Sequence, residues 1–144
     1  MLRLPKYLGL LAVGCIIVLV GCQQPVPDDP IPIVQVNEQI NLNSLLYDDL
    51  NVIGGTITLD NAGVKGIIVY RASLDEFRAF DRACSFRPSL ECERVSVDDS
   101  GLFMIDTCCS STFDFFGFPS AGPASWPLRE YQTLVSGDNL LIRN

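Results

Sequence analysis

The chain has 144 residues, with 17 acidic side chains against 10 basic ones, a formal charge of −7 and no histidine. That acidic balance argues against nucleic acid as a partner. Without imidazole the commonest general base is missing, and classical serine or cysteine triads are excluded.

In chain order, the first signal is Arg3 and Lys6 ahead of an apolar run from Leu8 to Val20, which ends in Leu19-Val20-Gly21-Cys22. This is the pattern of a secretory leader with a lipobox, so residues 1–21 are expected to be removed and Cys22 to carry the lipid. Cys15 is the weaker site, because the apolar run before it is shorter and Ile16 to Val20 would stay on the mature chain. An uncleaved span is disfavoured: 13 apolar residues fall short of the roughly 20 that cross hydrocarbon. Two or three acyl chains hold a protein stably at a membrane, so the mature protein is expected to be tethered and not embedded. In bacterial lipoproteins, which this amino-terminal pattern resembles, Gln23 and not Asp after the cysteine implies an outer-membrane destination. Loss of Arg3 and Lys6 with the leader takes the charge from −7 to −9.

Residues 22–43 are expected to be the lipidated cysteine and a linker. Pro25, Pro27, Pro30 and Pro32 lack backbone donors and favour an extended path, and the last part of the segment has the option of pairing as an edge strand. Residues 44–144 are then one domain, large enough for a single core.

Within that domain the apolar period is that of strands. Thr56 to Asp60 and Arg94 to Asp98 alternate, and Gly66 to Tyr70 is a short buried run. Leu74 to Arg82 reads as strand in preference to a helical turn. Turn residues separate these runs at Asn61-Ala62-Gly63, Asp98-Asp99-Ser100-Gly101 and Ser136-Gly137-Asp138-Asn139, the last closing a hairpin between Tyr131–Val135 and Leu140–Ile142. The expected fold is all-β, a small antiparallel sandwich or barrel.

The residues around Cys84 and beyond carry a family likeness that extends from about Gly54 to the C-terminus. Ala79 to Phe86, with Cys84 as the cysteine, resembles the first ligand loop of Rieske [2Fe–2S] domains, which read Cys-x-His there; Phe86 stands at the histidine position. The second Rieske loop reads Cys-x-x-His with Gly-Ser-x-Phe-Asp downstream, and Phe113-Asp114 with Cys108 at the cysteine position resembles it, with Cys109 beside it. Gly122-Pro123-Ala124, Pro127-Leu128 and Tyr131 follow as they commonly do in that family. The chain is also similar to small lipoproteins of Bacteroidetes-type bacteria that keep this frame with modified ligands. The resemblance implies a Rieske-like domain, while a centre that needs two imidazoles has none to draw on.

Four cysteines of the domain, Cys84, Cys92, Cys108 and Cys109, are the candidate site residues. In an exported chain they read first as disulfides, with three connectivities open. The Rieske frame, whose ligand loops are often tied to each other, favours Cys84 with Cys108 and Cys92 with Cys109. The alternative is metal ligation by all four thiolates, holding a [2Fe–2S] cluster or a zinc ion. The adjacent pair and the lack of a Cys-x-x-Cys knuckle count against it, so no cofactor is expected. Phe86 is expected to shield the site or to fill the space left by imidazole and cluster.

Other groups have plainer uses. Asp98-Asp99 is turn chemistry, Gly54-Gly55 and Gly63 are turn glycines, and Phe113, Phe115, Phe116 and Phe118 are packing residues before they are a binding surface. Trp126 is expected to cover the loop pair. The functional expectation is a lipid-anchored envelope module that binds or supports an unknown protein partner, with an enzymatic role disfavoured but left open. Its alternative is an electron carrier with a cysteine-held [2Fe–2S] cluster.

Overall fold

The structure, a computed structural model, describes residues 30–144. The leader, Cys15, Cys22 and the first part of the proline-rich segment lie outside the described residues. No helix among the described residues is long and apolar enough to cross a membrane.

Ten strands form two antiparallel sheets. They are β1 Asn37–Asn41, β2 Thr56–Leu59, β3 Ile67–Arg71, β4 Phe77–Asp81, β5 Val95–Val97, β6 Met104–Asp106, β7 Ser111–Phe113, β8 Pro119–Ala121, β9 Glu130–Ser136 and β10 Asn139–Arg143. The larger sheet has the order β1-β10-β9-β4-β3-β2 and the smaller β5-β6-β7-β8. The all-β expectation holds, as do the strands read at Thr56, Gly66, Leu74 and Arg94 and the hairpin at Ser136 to Asn139.

The apolar run of β3 follows from its place in the larger sheet. Ile67 and Val69 face one buried cluster with Ala79 of β4, Tyr131 of β9 and Leu140 and Ile142 of β10. Ile68 and Phe80 face the other way, toward Val95, Met104 and Phe113 of the smaller sheet. A strand covered on both faces has no solvent side to be polar, so alternation disappears where burial is complete.

The amino-terminal boundary needs correction. Residues as far as 43 were expected in the linker, with its last part open to pairing as an edge strand; that pairing is present, and Ile31, Val36 and Ile40, 1–2% exposed, make the segment part of the core. Strand β1 pairs with β10 from Asn37↔Arg143 to Asn41↔Asn139. From Ile33 to Asn41 every residue can donate a backbone hydrogen bond, and the open edge of β10 pairs with the last five. The Asn144 side chain completes this pairing by accepting from Val36 N at 3.1 Å and donating to Val34 O at 2.5 Å. A short 3-10 helix, Leu45–Asn51, then leads to β2 and buries Leu50.

At the end of β4 a buried carboxylate gathers the turn that precedes β3. Asp81 accepts from Val64 N at 2.6 Å, Ala83 N at 2.8 Å and the Tyr131 hydroxyl at 2.7 Å. Gly63 lies against it at φ +72°, and an added Cβ would sit 2.5 Å from Asp81 Oδ2. Only glycine serves that turn.

Candidate metal centre

Two loops and a proline-containing segment meet at one end of the smaller sheet. The first loop leaves β4, and its neck is closed by an isolated bridge between Ala83 and Arg94 and by Cys84 N donating to Glu93 O at 3.3 Å. Residues distant in sequence are thereby set side by side. The Lys65 ammonium donates to Glu93 O at 2.9 Å and to Leu90 O, fixing the returning limb.

The second loop is the turn between β6 and β7, which start from the paired residues Asp106 and Ser111. Asp106 Oδ1 accepts from Cys108 N at 2.7 Å and tightens the turn. Ser110 takes a left-handed φ of 62°, where the Rieske pattern has glycine; a short polar side chain tolerates what a bulky one would not. Gly122, at φ +89° with room for no Cβ beside Ser110 O and Ser111 Cα, brings the third segment against this loop. Ala124 N donates to Ser111 Oγ at 3.1 Å, and Ser85 Oγ donates to Trp126 O at 2.5 Å. Trp126 thus reaches the first loop through its backbone.

The cysteines pair differently from the expectation. Cys92 and Cys108 form the disulfide, with Cα atoms 5.7 Å apart, whereas Cys84–Cys108 and Cys92–Cys109 were preferred. Cys84 and Cys109 are free thiols whose sulfurs stand 3.6 Å apart. The reason is local: neighbours in a tight turn send their side chains apart, so Cys108 reaches out to Cys92 while Cys109 turns in toward buried Cys84. The four-thiolate set is therefore not assembled.

Phe86 is 39% exposed, with the Arg87 guanidinium 4.7 Å from its ring centre, so it neither shields the site nor fills an interior space. That space is taken by two residues that sequence reasoning missed. Glu93 and Asp106 are both 0% exposed, and with Cys84 and Cys109 they place four donor atoms within 4.8 Å of one another. Asp106 stands three residues before Cys109, the Cys-x-x-His spacing, so carboxylate and thiol occupy the places of thiol and imidazole. That spacing, together with acids directly beside Cys92 and two before Cys108, is the signal the sequence offered.

Electrostatically the quartet is strained toward sharing. Burial pushes the Cys84 thiol well up, against a backbone donor from Phe86. Burial and neighbouring Glu93 raise the Asp106 carboxyl, opposed by Cys108 N. Burial also works against ionised Glu93, but donors from Cys109, Arg87 and Asp106 outweigh it and the group lies below the usual value. Arg87 supplies that support through Nε at 3.0 Å and Nη2 at 2.7 Å to Glu93 Oε1. The other oxygens, Glu93 Oε2 and Asp106 Oδ2, are buried with no hydrogen-bond partner outside the quartet, an expensive arrangement unless something binds there.

Around the site the phenylalanines divide. Phe113 is buried and Phe115 stacks on Tyr70 at 4.3 Å. Phe116 and Phe118 are 60% and 59% exposed.

Neither protein-family models nor curated proteins match the sequence. Among solved structures the fold is similar to the cyanobacterial plasma membrane Rieske protein PetC3 from Synechocystis PCC 6803, at a TM-score of 0.56 and 23% identity, over 73% of this chain and 99% of that one. At that identity the likeness is one of fold. The curled antiparallel sheets, carrying two cysteine-bearing loops tied by a disulfide, thus have a Rieske-like fold.

Proposed function

We propose that the chain is a lipid-anchored envelope module built on a Rieske-like fold that has given up the histidine-ligated cluster and serves as a binding or structural domain. The observation that carries this reading is the donor set. The chain has no histidine, Phe86 is at the surface, and two of the four domain cysteines are bonded to each other. A Rieske centre needs two imidazoles on one iron, so these residues do not fit it. The rival reading, an electron carrier with four cysteine ligands, requires Cys92 and Cys108 as thiolates. Supporting the address are the lipobox ending at Cys22 and a structural neighbour described as a plasma membrane protein. A protein partner would meet the exposed Phe116 and Phe118 near the loops.

The test is fractionation and iron analysis of the full chain, expressed in a bacterium that processes lipoproteins and isolated without oxygen. The expected result is a membrane-associated, colourless protein without iron or acid-labile sulfide, released to the soluble fraction by Cys22→Ala. Stoichiometric iron and sulfide would overturn the cluster-free reading, and an unchanged distribution of the Cys22→Ala chain would overturn the lipid anchor.

A further inference from the structure

The same quartet that cannot hold a Rieske cluster has the shape of a different site. We propose that Cys84, Glu93, Asp106 and Cys109 bind a single zinc ion, which ties the two loops together beside the Cys92–Cys108 disulfide. This rests on the cluster-free reading above and gives the site an occupant.

Geometry favours one ion over two. Zinc takes sulfur at about 2.3 Å and carboxylate oxygen at about 2.0–2.2 Å in a tetrahedron, whose edges are then about 3.3–3.8 Å. The Cys84 and Cys109 sulfurs are already 3.6 Å apart, and all four donors lie within 4.8 Å. Two irons with two bridging sulfides would have to push the donor pairs further apart.

Chemistry points the same way. Zinc is borderline in softness and accepts thiolate and carboxylate together, whereas ions such as magnesium and calcium avoid sulfur. Glu93 Oε2 and Asp106 Oδ2, buried with no partner outside the quartet, gain a ligand bond. Two thiolates and two carboxylates around Zn²⁺ leave the same net charge of about −2 as a four-thiolate zinc site, and Arg87 on Glu93 Oε1 offsets part of it.

Binding displaces the thiol protons of Cys84 and Cys109 and any proton held between the carboxyls; all pass to solvent, with no change of oxidation state. Around the ligands, Arg87 orients Glu93, Cys108 N donates to Asp106 Oδ1, and the Ser111 hydroxyl, which accepts from the Cys109 thiol at 3.1 Å in the metal-free protein, would turn to donate to the thiolate. Supporting contacts of this kind are what fixed metal sites use to aim their ligands.

The experiment is metal and sulfide analysis of the full chain in detergent, prepared without reductant, followed by removal of metal with a chelator and titration with Zn²⁺ and Co²⁺. One zinc per chain without sulfide is expected, and the Co²⁺ form should show thiolate-to-metal charge transfer with the intense visible bands of a tetrahedral site. Arg87→Ala should weaken zinc binding about 10–100-fold, the usual effect of losing a supporting partner. The near-isosteric Asp106→Asn, which leaves the fold's volume intact, should weaken it more. Iron with labile sulfide would overturn both this proposal and the cluster-free reading. Failure to bind Zn²⁺ or Co²⁺, or a Cys84–Cys109 disulfide found by mass spectrometry in the isolated protein, would overturn the zinc site alone.

Discussion

At the scale of single residues the domain depends on buried acids that each have a defined job. Asp81 is 0% exposed and organises a turn, the start of the first loop and Tyr131 of β9. Burial and the adjacent Asp81 charge raise the Tyr131 hydroxyl above its ordinary value of 10.0. A folded-state pKa above the unfolded one gives stability that is fully present below pH 10 and is lost as pH climbs toward the folded value. The urea midpoint should therefore fall between pH 9.5 and 11.5, with a slope of at most about 1.4 kcal/mol per pH unit from this group. Tyr131→Phe should be less stable at pH 8, because Asp81 loses a donor, yet show a shallower alkaline decline; equal slopes in the two proteins would refute the linkage. Glu93 and Asp106 were marked in the sequence only by their spacing from Cys92, Cys108 and Cys109. Acids are mostly surface residues, and nothing in periodicity marks the two whose donors converge only after both loops close. The cysteines were conspicuous, but which of Cys108 and Cys109 turns inward is decided by the backbone of one tight turn.

Among the elements, the strands were legible because their signals are local. Thr56 to Leu59 alternates, Ser136 to Asn139 is turn chemistry, and β3 is a short β-branched run. Strand β1 was legible only as an option at the end of the linker, since a segment after prolines gives no sign of which edge it will pair with until β10 is in place. Its contribution is large. Ile31, Val36 and Ile40 are buried, and each such side chain is worth about 1.5–3 kcal/mol, which together approaches the whole stability of a small domain. A chain beginning at Pro30 should unfold cooperatively in urea, and one beginning at Ser44 should show no cooperative transition. A sharp transition for the shorter chain would mean that β1 is an ornament on the edge.

For the whole molecule, two hydrophobic clusters lie on opposite faces of β3 and β4, and only the one around Ile68 and Phe80 includes residues of the smaller sheet. The larger sheet encloses its cluster with five strands and the pairing of β1 to β10. The smaller sheet has strands of three residues each, and beyond Val95, Met104 and Phe113 it depends on its loops being held. The Cys92–Cys108 bond, spanning a sequence separation of 16, should stabilise by about 3 kcal/mol through restriction of the unfolded chain. That support acts at one end of the molecule. Replacing both cysteines by serine should leave amides of β3, β4 and β9 exchanging with solvent at the global rate, while those of β5, β6 and β7 exchange faster by local opening. Hydrogen exchange resolved by mass spectrometry reads the two regions separately. Uniform acceleration across both sheets would show that they open as one unit, and the loops would then be fastened by the core and not the core by the loops.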